Sequence, residues 1–509
     1  MVTDATEKRF EADIESFFLS PAGGYTKGAD TYDAKQGLYV NTLIDFVQRT
    51  QPKEWARFEN ANQLDPVRKF CTAFNTACET EGLLSVLRHG FKHRGLRFRV
   101  CYFKPESALN QAAAAQWAAN TIECYRQWYF SADTKKSVDM VLVLNGIPVF
   151  AFELKNQYTG QTVDDAKRQW MYDRDPRELC FQFNKRILAY FCVDHTEVWM
   201  TTKLAGKNTY FLPFNQGSNG AGNDGGKGNP ANPNGYPTAY LWENVFQKDS
   251  MMDIIQKFMN LKDGKTLIFP RYHQLDVVRK LLADVRQNGA GHNYLIQHSA
   301  GSGKSNSIAW TAYRLASLFN EENKPVFSSV VVVTDRTVLD AQLQETISGF
   351  DHTLGAIETI GEDKTSKDLR DAINGGVRIR LTELIPELLD LVDEGRIAFR
   401  PAVELSYLQK EEQSALLEQI AYADATPSLA QAIKLKRFSQ DGKLNNEVIE
   451  SIMSEEKPNQ REKINIKYAE ARRFIPASVP YEKTGEYILK ALEHYHRYQE
   501  RQKSRNDAR

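Results

Sequence analysis

Read as a pattern of apolar and polar positions, the chain alternates β-prone runs with amphipathic helical stretches up to about Gly376, and only helical stretches follow. The segments Leu142–Leu144 and Pro148–Leu154 predict two strands joined at Asn145-Gly146, a strong hairpin signal. The run YLIQ (294–297) predicts a further strand, and SIAWTAYRLASLF (307–319) a helix. The run VFSSVVVVTD (326–335) predicts a buried parallel strand, with RTVLDAQLQETISGF the helix after it. Beyond Gly375-Gly376, Leu381, Ile385, Leu388, Leu389 and Val392 keep helical spacing, and Gly395 suits a C-cap. Further helices are expected in KEEQSALLEQIAYA (410–423), LAQAIKLKRF (429–438) and the C-terminal EYILKALEHYHRYQERQKSR. Gln216 to Tyr236 is rich in Gly and Asn and holds no aliphatic side chain larger than alanine, so it predicts a long loop or linker. The expected division is 1–215, a linker at 216–240, an α/β segment at 241–376 and a helical tail at 377–509.

Composition narrows the class. The chain has 509 residues, 42% hydrophobic and 26% charged, which suits a soluble protein of about three domains. No apolar run is long enough to cross a membrane and the N-terminal stretch lacks the apolar core of a secretory leader, so a cytoplasmic address without membrane contact is expected. The six cysteines lack zinc-ribbon spacing and read as reduced, mostly buried thiols. Lys+Arg and Asp+Glu are equal at 65 each, so any nucleic-acid contact must come from local patches.

Candidate chemistry begins at the hairpin. Along its second strand Val149, Ala151, Glu153 and Lys155 share one face, while Phe150, Phe152 and Leu154 share the other. A two-residue loop pairs Leu144 with Ile147 and sets Asp139 opposite Phe152, on the wrong face for Glu153. A three-residue loop pairs Val143 with Ile147 and sets Asp139 opposite Ala151, on the Glu153 face, so an odd-length loop or an equivalent bulge is expected. Two carboxylates and a lysine on one face can hold Mg²⁺ through Asp139 and Glu153 and hydrolyse a phosphodiester, with Lys155 stabilising charge on the phosphate. A charged, solvated strand end is the plain alternative. Gln169 and Tyr172 stand three residues apart on an expected helix, AKRQWMY, and could face the same site.

These residues, in SVDMVLVLNGIPVFAFELKNQYTGQTVDDAKRQW, and the later VWMTTKLAGKNTYFLPFN closely resemble the restriction (R) subunit of type I restriction-modification enzymes. The resemblance implies a PD-(D/E)xK nuclease domain with Asp139, Glu153 and Lys155 as its motif and Gln169, with Tyr172, as an accessory element. It also implies ATP-dependent cleavage of foreign double-stranded DNA, in complex with methyltransferase and specificity subunits. The basic run RHGFKHRGLRFR (Arg88 to Arg99) reads equally as part of a DNA path or as a solvated amphipathic element.

Following YLIQ, the sequence HSAGSGKS reads as a phosphate-binding loop: Gly301, Ser302 and Gly303 form the turn, Lys304 provides a charge for β/γ oxygens and Ser305 a hydroxyl for Mg²⁺. The segment resembles superfamily 2 helicases. That resemblance implies ATP as cofactor, with Tyr272 or Phe269 stacking on the adenine and Gln274 bonding its edge, and makes Asp335-Arg336 a DNA-backbone contact. A complete motor also requires a second acidic motif and a second RecA-like lobe. Asp393-Glu394 is the one candidate for the acidic motif, and its helical surroundings argue against it. From about residue 378 the chain instead resembles the C-terminal helical part of a ParB-like partition protein. The expected fold is therefore α/β: a PD-(D/E)xK domain, an incomplete RecA-like (superfamily 2 helicase) lobe with weak ATP turnover, and an all-α tail. The competing expectations are a ParB-like DNA-binding accessory protein and an inactive chimeric remnant.

Overall fold

In a computed structural model of the chain, the described residues are 7–105, 111–299, 301–320, 324–327, 329–333, 384–393, 396–423 and 425–455, with isolated positions after 474. They fall into two compact units, 1–379 and 380–509.

The first unit is built on a seven-stranded mixed sheet whose spatial order follows the chain. Its strands are β1 (Thr26–Lys27), β2 (Ile122–Tyr129), β3 (Ser137–Leu144), β4 (Ile147–Leu154), β5 (Ala189–Val193), β6 (Val198–Thr201) and β7 (Leu212–Pro213). β1 runs parallel to β2 and β4 parallel to β5, and the other neighbours are antiparallel. The β3–β4 hairpin turns at Asn145 (φ 48°) and Gly146 (φ 79°), a two-residue loop with both residues left-handed. A Cβ on Gly146 would come within 2.4 Å of the Tyr39 carbonyl, so only glycine fits. Asn145 is fully buried and fixes the turn: its amide donates to Val100 O (2.8 Å) and to Asn120 Oδ1 (3.0 Å), and its oxygen accepts from Thr121 N (2.7 Å).

The odd-length loop expected from sequence is thus not the one formed, and the alternative device, a bulge, sets the register. Leu144 pairs with Ile147 and Val143 with Pro148, then the register shifts so that Leu142 meets Phe150 and Met140 meets Phe152. Pro148 has no N–H for the ladder, which makes its neighbourhood a natural place for the extra residue. Carried one step further, the shifted register brings Asp139 across from Glu153. Val149 sits at the bulge and joins Phe150 and Phe152 in the opposite core.

Two apolar layers cover this sheet. On one face Phe150, Phe152 and Phe191 pack against Phe246 with ring centroids 5.0–5.1 Å apart, and Phe269 closes on Phe191 at 5.6 Å. Helix α1 (Glu7–Phe18) lies on the same side, tied to β2 where Arg126 bonds Glu11 (3.0 Å) and Glu15 (3.2 Å). On the other face α2 (Val163–Tyr172) lays Val163, Ala166 and Trp170 against Ala151, Tyr190 and Cys192. Its start is fixed by a capping box between Thr162 and Asp165.

The Gly/Asn stretch is a loop whose flanks share one core: Tyr240 donates to Phe214 O (2.7 Å), and residues from Ala239 to Phe269 join the cluster on the sheet. Helices α3 (Tyr272–Asn288) and α4 (Lys304–Leu315) follow and pack on that cluster through Leu275, Val278, Ala309 and Trp310. Between and after them two sequence expectations fail among the described residues. Tyr294–Gln297 is not a strand and Leu295 is 92% exposed; Val331–Val333 is not a buried strand, and Val333 is 86% exposed. Neither run has a neighbouring strand there to supply hydrogen bonds on its edges. Asp335 and Arg336 lie outside the described residues.

Every element described in the second unit is an α-helix: Pro386–Asp393, Phe399–Leu405, Lys410–Ala423, Leu429–Gln440 and Asn446–Ser454. Leu384, Leu388, Leu391, Leu416, Leu435 and Ile449 form its core. Asp393 ends a helix, which agrees with the argument against a strand-borne acidic motif there, while Leu381, Glu394 and Gly395 lie outside the described residues. All six cysteines are buried free thiols. Among the described residues no helix is long and apolar enough to cross a membrane.

Candidate active site

The candidate site sits where β3 and β4 part. Beyond the Met140–Phe152 pair, Asp139 Oδ2 takes the place of a backbone acceptor and receives the Leu154 N–H at 2.7 Å. On its other side β4 stays bonded to β5, with Lys155 N donating to Val193 O (2.8 Å). The Asp139 carboxylate is therefore wedged into a fork, which fixes it next to the Glu153-Lys155 pair that follows on β4. Lys155 Nζ lies 3.4 Å from Asp139 Oδ2 and donates to Leu154 O at 2.8 Å. Asp139 is 9% exposed, Glu153 0% and Lys155 3%, so this is a buried charged cluster and not the solvated strand end of the plain alternative.

Arg174, which sequence reasoning did not single out, completes the cluster. Just past the end of α2, its Nε and Nη2 donate to Glu153 Oε1 at 2.8 and 2.5 Å, and Nη2 also donates to Ser137 O (2.7 Å). An arginine after a helix is ordinary in sequence, and only the fold reveals the strand it returns to. Glu153 Oε2 is buried without a hydrogen-bond partner, and so is Gln169 Oε1 on α2. Burial, and next the Asp139 charge, push the Glu153 carboxyl well above the usual carboxylate range, opposed by Arg174 and Lys155. The structure thus brings Asp139, Glu153 and Lys155 together, with Gln169 carrying a buried acceptor on the covering helix. Tyr172 is 67% exposed at the end of that helix.

Among the described residues no three His, Cys, Asp or Glu side chains form a metal group. Asp139 and Glu153 are two carboxylates, one with an unpartnered oxygen, and that donor set suits a hard cation such as Mg²⁺, which keeps several waters, better than it suits zinc.

The phosphate-loop residues are arranged differently. Gly301 (φ 74°) and Gly303 (φ 82°) are left-handed, and Gly303 caps α4, so the loop-to-helix junction forms as expected. Lys304 donates to the loop carbonyls of His298 (3.1 Å) and Ser299 (3.3 Å). Gln274, expected at a base edge, is buried under the loop: its Nε2 donates to Gly303 O (2.8 Å) and Ser302 O (3.3 Å), and its Oε1 accepts from Arg271 N (2.9 Å). Tyr272 packs on Tyr240 at 4.8 Å. The Ser302 hydroxyl is buried without a partner and Ser305 is half-buried on the first turn of α4.

In the basic run, Arg88 donates to Ile255 O (2.9 Å) and Met259 O (2.6 Å), and Arg99 to Arg88 O (2.7 Å). These arginines hold the fold together, while Lys92 and Arg94 remain exposed on a short hairpin.

No curated protein matches the chain. Residues 101–209, which span β2 to β6, match the family model of the type I restriction enzyme R protein N terminus. Residues 273–388 match that of the SWI2/SNF2 ATPase, a span that begins on α3, takes in the phosphate loop and runs past the expected boundary at 376. The chain is therefore similar, in its central sheet, to the N-terminal domain of type I restriction enzyme R proteins and, from the phosphate-loop region onward, to SWI2/SNF2 ATPases.

Proposed function

We propose that this chain is an ATP-dependent, R-subunit-like protein whose sheet carries a Mg²⁺-dependent endonuclease site of PD-(D/E)xK type acting on foreign double-stranded DNA. The observation that carries the reading is the buried fork of Asp139, Glu153 and Lys155, with one carboxylate oxygen left without a partner. Well-packed apolar side chains would serve a purely structural sheet at least as well there, because even a paired buried charge bears a desolvation cost.

Asp139 and Glu153 would hold the ion. When bound, Mg²⁺ supplies Lewis-acid polarisation of a phosphodiester oxygen and activation of a water. Arg174 and the fork keep the two carboxylates in place before substrate arrives, and Arg174 also offsets part of their mutual repulsion. Lys155 places a positive charge where negative charge builds on the phosphate. Gln169 offers a buried carbonyl oxygen that can accept a hydrogen bond from a water. Methyltransferase and specificity subunits are the expected partners, and the helical second unit is read as ParB-like. The ATPase match supports nucleotide use. Because the one candidate for the second acidic motif, Asp393-Glu394, has helical surroundings in the sequence, turnover by this chain is expected to be weak or absent.

A plasmid-nicking assay with Mg²⁺, comparing wild type with Asp139→Ala and Lys155→Ala, tests the assignment. Nicking lost in both variants and in EDTA supports it; nicking unchanged in both removes it. A gel shift that persists in EDTA without cleavage would favour the DNA-binding accessory role.

A further inference from the structure

Just past Lys155 the chain makes a tight turn. Asn156 Oδ1 accepts from Tyr158 N (2.9 Å), Gly160 (φ 77°) ends a single helical turn, and Gln157 Nε2 donates to Thr196 Oγ1 (2.7 Å), which ties this turn to the one joining β5 and β6. The second turn is fixed in its own right. Asp194 Oδ1 accepts from Thr196 N (2.7 Å) and Glu197 N (2.8 Å), and its Oδ2 accepts from Val163 N (3.1 Å) at the start of α2. Two anchored turns therefore set the Tyr158 ring against the His195 ring, with centroids 5.3 Å apart.

The two rings have opposite surroundings. His195 is 8% exposed and packs against Phe10 (4.8 Å) and Tyr236 (4.9 Å). Burial lowers its pKa, against the Asp194 charge, so the imidazole is uncharged at neutral pH. Its Nε2 is buried without a hydrogen-bond partner, which packing alone does not account for at a position where a phenyl ring would serve. Tyr158, by contrast, is 79% exposed. An open aromatic ring on a firm base offers stacking area without the entropic cost of ordering a mobile side chain. At the same end of the sheet, on the far side of the fork, Tyr129 closes β2 opposite Ser137 and is also exposed. Exposed rings thus flank the fork along the sheet end, the kind of arrangement on which successive bases of a single strand stack.

We infer that Tyr158, backed by His195, is a stacking platform for an unpaired nucleobase of the DNA strand entering the carboxylate fork. Tyr158 follows Lys155 by three residues, so backbone reach alone keeps their Cα atoms within about 11 Å of each other. A base can take an aromatic ring only where its π-face is free. Inside a duplex both faces are covered by neighbouring pairs, so the occupant is a base that has left the stack. The inference takes its substrate from the nuclease reading and adds that the duplex is opened locally where its backbone meets the fork.

The test is DNA binding by the full chain in EDTA, with a fluorescent aminopurine base placed in an unpaired bubble of a duplex. Wild type, Tyr158→Phe and Tyr158→Ala are compared, with fully paired duplex as the reference probe and thermal melts to confirm folding. Wild type and Tyr158→Phe should quench the aminopurine. Tyr158→Ala should lose the quenching and bind the bubbled duplex roughly five- to a hundredfold more weakly, with affinity for paired duplex unchanged. Equal quenching and affinity in Tyr158→Ala and wild type overturn the platform, as does a wild type that does not quench. An equal loss of affinity on bubbled and paired DNA also overturns it, by marking a contact that does not select unpaired bases. Plasmid nicking by Asp139→Ala is scored separately. Undiminished nicking there removes the nuclease reading, whereas lost nicking together with unchanged quenching in Tyr158→Ala removes the platform alone.

Discussion

The fork at Glu153 and the phosphate loop at Lys304 belong to one compact unit, yet they are supported in opposite ways. β4 has a bonded strand on each side and apolar layers above and below, so the Glu153 side chain is fully enclosed and Arg174 can be held against it. The loop before α4 follows a run, Tyr294–Gln297, that is not a strand and leaves Leu295 exposed, and Lys304 bonds the loop's own carbonyls. A motif's residues make a rigid site only when their strand is itself paired and covered. The sequence signal was as clear at the loop as at the hairpin, but the support differs.

The comparison can be broken at several points. The largest effect is expected from Asp139→Ala, which should reduce Mg²⁺-dependent nicking at least about a hundredfold, several kcal/mol of transition-state stabilisation. Next, Arg174→Ala leaves Glu153 buried and unpaired and should lower stability by roughly 3–5 kcal/mol in urea unfolding. Adding Glu153→Leu to that variant should recover much of the loss. A surface-like cost for Arg174→Ala would mean that the fork is not enclosed as described.

A third effect concerns Glu123 on β2, which is 6% exposed, has an unpartnered Oε2, and is pushed by burial from 4.5 up to about 7. Its folded value exceeds its unfolded one, so between those two values the native state holds a proton that the unfolded chain releases. Stability from this group is therefore greatest below about pH 4.5, falls as pH rises to about 7 and is level above, a loss of up to about 3 kcal/mol. Glu123→Gln should match wild type at pH 5 and melt higher at pH 8; an equal gap at both would refute the linkage. The smallest effect belongs to the loop. Lys304→Ala should change stability by only about 0.5 kcal/mol or less, as surface substitutions do. Limited proteolysis should cut first within 292–299, where opening costs little, before any bond in β3 or β4.

Much of the fork was legible in sequence because alternation along a strand assigns faces directly: Glu153 and Phe152 point to opposite sides as read. The turn was legible as well, since Asn145 and Gly146 both adopt the left-handed conformation that their side chains allow. The parity argument needs one extra residue and does not say where it lies; of the two devices expected, an odd-length loop or a bulge, the chain uses the bulge. Pro148, unable to donate to the ladder, marks the place, and the shift follows it. Arg174 was invisible because its partner is distant in sequence, and nothing local distinguishes it. The strands at 294–297 and 330–333 were misjudged for a general reason. Apolar composition favours burial, but a strand exists only where another strand bonds it.

The Gly/Asn loop has a consequence of its own. Its ends are pinned by the bond from Tyr240 to Phe214, and the chain on either side is held by the same apolar mass. A polypeptide nicked inside that stretch should stay together as a noncovalent pair, so the protein could be expressed as two separate halves that reassemble on mixing.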